Sequence, residues 1–236
     1  MNMFYEKAYG DHFIACWQKI ARRFKGRKNI YGYDLINEPN QQFTGVTDGD
    51  CWNLQRRAAE AVRAIDPTVT IILESNGWDS PKAYSYMRPL RMTNVVYQAH
   101  MYEPSQFTHQ GVSGRNHWVK ARYPDETKGW DKDYLRRQLE EVRKFQLDHN
   151  AKIYIGEFSA IAWAEGADAY LRDCISLFEE YGWDWSYHAF REWDGWSVEH
   201  EGPDMDHLTP SGDNPRRQAL IDGLHSRAIN QVTHHE

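Results

Sequence analysis

Five strand-length apolar runs alternate with helix-patterned stretches along this 236-residue chain, and that alternation is the tightest limit on what it can fold into. The runs are 30–36, 69–74, 95–102, 153–158 and 183–190. Between residues 11 and 25, His12-Phe13-Ile14 through Trp17, Ile20, Ala21 and Phe24 place apolar side chains at three- and four-residue intervals, as one helix face does. Helices are expected again over 51–65, 81–88, 131–149, 166–181 and 214–229. Strands that alternate with helices pair in parallel through right-handed crossovers. Val69 to Leu73 and Ile153 to Ile155 are apolar on both faces, as a sheet covered by helices requires. Asp66-Pro67, Asn150 and Tyr181-Gly182 stop the helices before the second, fourth and fifth runs. No stretch reads as a linker, a short-period repeat or low complexity, so one domain over residues 1–236 is expected.

Two of the runs end in a carboxylate. Tyr33-Asp34-Leu35-Ile36-Asn37-Glu38-Pro39-Asn40 delivers Glu38, and Lys152-Ile153-Tyr154-Ile155-Gly156-Glu157-Phe158 delivers Glu157. Taken singly, either is a turn residue or a surface strand end. Taken together, strand tips that each carry a glutamate are how a barrel holds two carboxyl groups across a sugar-sized cleft. Aromatic residues make up 14% of the chain, and Trp78, Trp130, Trp163, Trp193 and Trp196 stand where loops are expected. Exposed indoles there suit the apolar faces of pyranose rings.

The charge balance excludes other classes. A net charge of -6 gives no basic excess for a nucleic acid or an anionic membrane, so neither partner is expected. The cluster Arg22-Arg23-Phe24-Lys25-Gly26-Arg27-Lys28 closes a helical pattern, where cations favour the C-terminal dipole. Cys16, Cys51 and Cys174 are odd in number and widely separated, which fits small buried hydrophobes better than a disulfide framework. No apolar run approaches the roughly 20 residues a bilayer demands, and no signal peptide opens the chain. His109, His117 and His149 lack metal-ligand spacing, and His234-His235-Glu236 reads as a polar chain end, so neither a metal nor a cofactor is expected.

Leu35-Ile36-Asn37-Glu38-Pro39 and Ile155-Gly156-Glu157-Phe158 resemble the acid/base and nucleophile motifs of the clan A retaining glycoside hydrolases, most closely glycoside hydrolase family 5, the cellulase family. The similarity extends to His100-Met101-Tyr102, to Phe107-Thr108-His109-Gln110-Gly111 and to Phe190-Arg191-Glu192-Trp193-Asp194-Gly195-Trp196. It implies an α/β fold, a (β/α)8 barrel that is incomplete, with about five parallel strands corresponding to barrel strands four to eight. In that family Asn-Glu-Pro closes the fourth strand, and each βα unit needs roughly 30 residues, so strands one to three are expected to be missing and the chain to be truncated at its N-terminus. The first and last strands present should then be ladder edges with one side of the barrel open. With the missing strands go an arginine that supports the nucleophile and a histidine of the third-strand loop, and neither is carried over to this chain.

The resemblance further implies cleavage of a β-glycan, most closely β-1,4-glucan, by double displacement. Glu38 would act as acid/base and Glu157 as nucleophile, with Glu38 protonated beside the Glu157 anion. Asn37 would bond the sugar 2-hydroxyl, Tyr102 would donate to Glu157, and His100 would contact Glu38 or the sugar. Trp193 is the expected platform under the reacting sugar, with Trp196 its competitor. Mannan, xyloglucan and β-1,3-glucan are hydrolysed by relatives. A non-catalytic carbohydrate-binding fragment is the competing class. The expected partner is a β-linked oligo- or polysaccharide, and the chain is expected to be a monomer unless another chain covers the open edge. The family implies secretion or a periplasmic location, with any signal peptide upstream.

Overall fold

A computed structural model describes residues 2–41, 50–112 and 120–233, with side chains over 3–41, 50–112 and 120–227. His117, His234, His235 and Glu236 lie outside them. In chain order the helices are α1 (Lys7–Phe24), α2 (Cys51–Arg63), α3 (Ser105–Thr108), α4 (Lys132–Gln138), α5 (Glu140–His149), α6 (Ala167–Tyr181) and α7 (Pro215–Thr233). The strands are β1 (Gly32–Asp34), β2 (Thr70–Glu74), β3 (Val95–Met101), β4 (Lys152–Phe158), β5 (Asp184–Trp185), β6 (His200–Glu201) and β7 (Thr209–Pro210). Strands β1 to β5 form one sheet in chain order, with β1–β2 and β2–β3 paired in parallel. All seven residues of β3 are buried, as a sheet covered on both faces demands. β6 and β7 form a separate antiparallel hairpin that no apolar run announces. None of the described helices is long and apolar enough to cross a membrane.

The chain divides into two compact units. The first comprises Met1–Ala99 and Glu141–Tyr154. Its α2 starts at Asp50, whose carboxylate accepts the Asn53 amide at 2.7 Å as an N-cap. Leu54, Ala58, Ala59 and Val62 then recur at helical spacing and are fully buried, a large aliphatic contributing about 1.5–3 kcal/mol each. Tyr84 and Tyr97 meet Phe145 of α5 edge-on at 5.4 and 4.9 Å. α1 packs on α2, and Trp17 donates to the Leu35 carbonyl at 3.1 Å, which ties α1 to the segment leaving β1.

The second unit comprises His100–Glu140 and Ile155–Glu236. α6 packs against α4 and α7. Phe158, at the end of β4, meets Phe178, Trp185 and Tyr187 edge-on within 5.2–5.8 Å. Gly182 ends α6 in the left-handed region at φ 69°, the conformation that the Tyr181-Gly182 signal implies.

Four expectations are corrected. Residues 81–88 form a 3-10 turn, Pro81–Tyr86, that ends where Met87 becomes extended at ψ 141°, and Pro89 disfavours the α region for Arg88 next to it. The stretch 131–149 is two helices interrupted at Leu139. Strand β5 is two residues long, although Ser186 and His188 still donate backbone bonds to Ile155 and Phe158 at 2.9 and 3.2 Å. Cys51 and Cys174 are buried as expected, but Cys16 is exposed on α1.

Candidate active site

Glu38 belongs to the first unit, on the segment that leaves β1. Its backbone is left-handed at φ 46°, a conformation that costs a non-glycine residue of order 1–3 kcal/mol and needs outside support. That support is the carboxylate of Glu74, at the end of β2, whose Oε2 accepts the Glu38 amide at 2.6 Å. Glu74 is 1% exposed. Its Oε1 accepts from Gln98 Nε2, which also donates to Asp34 Oδ2 at 3.1 Å. The Glu74 backbone is itself framed by Gln55 of α2, which accepts its amide at 3.1 Å and donates to its carbonyl at 2.8 Å. Beyond Glu38, the Pro39 carbonyl accepts the Gly77 and Trp78 amides at 2.8 and 3.2 Å, and Gln41 and Asn76 exchange bonds of 2.7 and 3.0 Å. The Asn37-Glu38-Pro39 segment is therefore clamped to the loop after β2. Asn37 is exposed and Glu38 half-buried.

Asp79, in the same loop, is fully buried and accepts from the Ser75 amide and hydroxyl at 2.6 and 3.0 Å. Burial, reinforced by the nearby Glu74 charge, holds its carboxyl well above the usual carboxylate range. Cys51 accepts a hydrogen bond from Gln55, but burial outweighs it and pushes the thiol up to about 12.

Glu157, Tyr102 and His100 come together in the second unit. The Tyr102 hydroxyl donates to Glu157 Oε2 at 2.8 Å, and His100 Nδ1 stands 3.5 Å from the same oxygen with its side chain 1% exposed. His100 lies on β3 and Tyr102 one residue past its end, two positions on, a spacing that puts both on the same side. His188 Nδ1 lies 3.8 Å from Glu157 Oε2, and its Nε2 lies 3.0 Å from Glu192. Glu157 is thus one-fifth exposed and faced by a phenol and two imidazoles, which fix its direction and leave one side open.

The aromatic residues divide. Trp193 is half-buried and meets Trp163 and Trp196 edge-on at 6.1 and 5.9 Å. Trp196 is only 9% exposed, packed among Tyr102, His109 and His188, so it is wall rather than open surface. Trp130 is likewise buried, whereas Trp78 is 59% exposed. The segments flanking Trp163 and Trp196 are tied by Arg216, which donates to the carbonyls of Ala160, Ser197 and His200 at 3.1, 2.7 and 2.9 Å.

Sequence reasoning missed His188, Glu192 and Glu74. Glu74 carried the signal that singled out the other two glutamates, an apolar run Ile71-Ile72-Leu73 ending in a carboxylate. His188 stands two residues before the end of the fifth run, as His100 does in the third.

Endoglucanase C of Acetivibrio thermocellus is 26% identical over 221 residues, spanning 79% of this chain and 62% of that protein. Cellodextrinase A of Ruminococcus flavefaciens is 27% identical over 175 residues, spanning 71% of this chain and 49% of that protein. The chain thus spans less than two thirds of the length of these curated relatives. Among solved structures, Thermotoga maritima Cel5A in complex with cellobiose superposes with a TM-score of 0.74 at 24% identity, covering 92% of this chain and 66% of that one. That likeness is one of fold, and it assigns the parallel sheet and its helices to part of a (β/α)8 barrel. The chain belongs to the cellulase family, glycosyl hydrolase family 5, whose model it matches over residues 2–194.

Proposed function

We propose that the chain hydrolyses O-glycosidic bonds in a β-glycan, with β-1,4-glucan as its first substrate, by a retaining double displacement. Endoglucanase C and the family match support the substrate class. The observation that carries the chemistry is the 2.8 Å bond from Tyr102 to Glu157, with His100 buried behind it, because it fixes the direction of a partly exposed carboxyl group at a strand end. In the first step Glu157 attacks the anomeric carbon while Glu38 gives its proton to the departing glycosidic oxygen. In the second, Glu38, now a carboxylate, takes a proton from water, whose oxygen displaces Glu157 and restores the original anomeric configuration. Asn37, exposed beside Glu38, serves the 2-hydroxyl, and Trp193 supports the reacting ring.

Reducing-end release from carboxymethylcellulose, mannan, xyloglucan and laminarin tests the substrate. Glu157→Ala is expected to abolish turnover, with azide restoring cleavage and yielding the azide of inverted configuration. A Glu157→Ala protein as active as the parent ends the assignment. Binding to soluble glucan without release of reducing ends, by correctly folded protein, identifies a carbohydrate-binding fragment instead.

A further inference from the structure

We propose that Glu74 is a positioning residue for the acid/base Glu38, acting through the Glu38 backbone rather than on the sugar. The proposal rests on the acid/base reading of Glu38. Glu74 Oε2 accepts the Glu38 amide at 2.6 Å, and Glu38 occupies the left-handed region at φ 46°. A backbone turned that way aims the Cα–Cβ bond differently from the extended chain of β1, so whatever fixes φ at this residue fixes where the carboxyl points. The Glu74 side chain is itself immobilised. Gln98 holds its second oxygen, Gln55 frames its backbone from α2, and it is 1% exposed.

A buried carboxylate is a costly choice for a turn that a neutral side chain could brace. A charged acceptor makes the shorter, stronger bond to an amide, which fits a turn residue that must not relax while its own side chain gains and loses a proton. The Pro39 carbonyl, fixed by the Gly77 and Trp78 amides, secures the other side of the same residue. Glu38 is thereby held on both flanks by the end of β2 and the loop that follows it.

The test compares phenyl β-cellobioside, whose leaving group needs a proton, with dinitrophenyl β-cellobioside, whose leaving group does not. Glu74→Ala is expected to lower kcat/KM on the phenyl substrate roughly tenfold or more, as partial loss of general acid catalysis does, and to leave the dinitrophenyl substrate nearly unchanged. Glu74→Gln, which keeps an acceptor oxygen in place, is expected to recover most of the loss. Equal losses on both substrates overturn the proposal. Glu38→Ala, run alongside, separates the two ideas. If it shows the leaving-group dependence and Glu74→Ala does not, the acid role stands and the positioning role falls. If it shows none, both fall. Amide hydrogen exchange at Glu38 reads the same bond without turnover. It should be about tenfold faster in Glu74→Ala than in the parent or Glu74→Gln, and equal rates in all three proteins also overturn the proposal.

Discussion

Tyr102 and Glu157 are joined by a 2.8 Å hydrogen bond from phenol to carboxylate, between the end of β3 and the end of β4. Hydrogen bonds to a charged group are worth about 1.5–3 kcal/mol. If the bond serves the nucleophile, Tyr102→Phe should lower kcat on a β-glucan by roughly ten- to a hundredfold. The ring itself is half-buried against His109 and Trp196, so the phenylalanine should keep that packing and the melting temperature. Steady-state kinetics with a thermal melt on the same sample checks this. Unchanged kcat would show that the phenol is dispensable.

Asp79 should make the fold sensitive to alkali. Burial first, and then the Glu74 charge, raise its folded-state pKa, while the unfolded chain titrates near the ordinary aspartate value of about 3.9. The folded protein therefore keeps a proton that the unfolded chain releases. The resulting stabilisation is complete below the unfolded value and drains away as pH rises toward the folded one. Asp79→Asn keeps an acceptor for Ser75, tolerates the left-handed φ of 49° and has no proton to lose. Its urea midpoint, measured against the parent at pH 5 and pH 8, should gain with rising pH. Parallel curves would show that Asp79 does not carry the linkage.

Much of this was legible in the chain because the strands are short apolar blocks bounded by strong stops. Asp66-Pro67 and Asn150 sit just before β2 and β4, so period and punctuation agreed. The fifth run is shorter than its apolar pattern implies because Tyr187, which reads as a strand residue, lies beyond β5 and spends its hydroxyl on the Trp196 carbonyl of a loop. Tertiary ties of that kind leave no period. The site was half legible for a related reason. Glu157 and His100 sit on regular strands and Tyr102 directly follows β3, where a two-residue spacing predicts a shared face. Glu74 acts on Glu38 through a backbone amide in a left-handed turn, which no spacing announces. The indoles were misjudged because a loop position was equated with exposure, yet Trp130 and Trp196 are packed beneath their own loops.

Gly195 should control Trp193. A Cβ built on Gly195 would fall 2.6 Å from the Trp193 ring, closer than any side chain tolerates, so the indole would have to swing away. Gly195 also accepts the Ala162 amide through its carbonyl at 2.9 Å, a bond that alanine can keep. Gly195→Ala should therefore leave the loop anchored while moving the ring. If Trp193 is the sugar platform, KM for cellooligosaccharides should rise several-fold, since the apolar face of the pyranose loses the indole on which it packs. Trp193→Ala gives the limit of that effect. A variant whose tryptophan fluorescence shifts but whose KM does not would assign the platform elsewhere.

Arg216 should be the largest single polar contributor to the aromatic wall. It is 4% exposed, and its guanidinium serves three carbonyls, those of Ala160 after β4, Ser197, and His200 at the start of β6. Burial draws its pKa down, yet a guanidinium keeps its charge in any folded protein. Arg216→Met fills much of the volume but leaves two buried carbonyls, of Ala160 and Ser197, and the half-buried one of His200 without this donor. At about 1–3 kcal/mol for each group left unsatisfied, the loss should reach roughly 3 kcal/mol or more by urea denaturation. Arg216→Lys should recover only part of it, because one ammonium cannot reproduce the fork that spans both loops. Trp196 hangs on the same loop through the Tyr187 bond to its carbonyl at 2.6 Å, so destabilisation should bring rising exposure of that indole to acrylamide quenching before global unfolding. A Lys variant with full stability would show that a point charge, rather than the planar fork, holds these loops together.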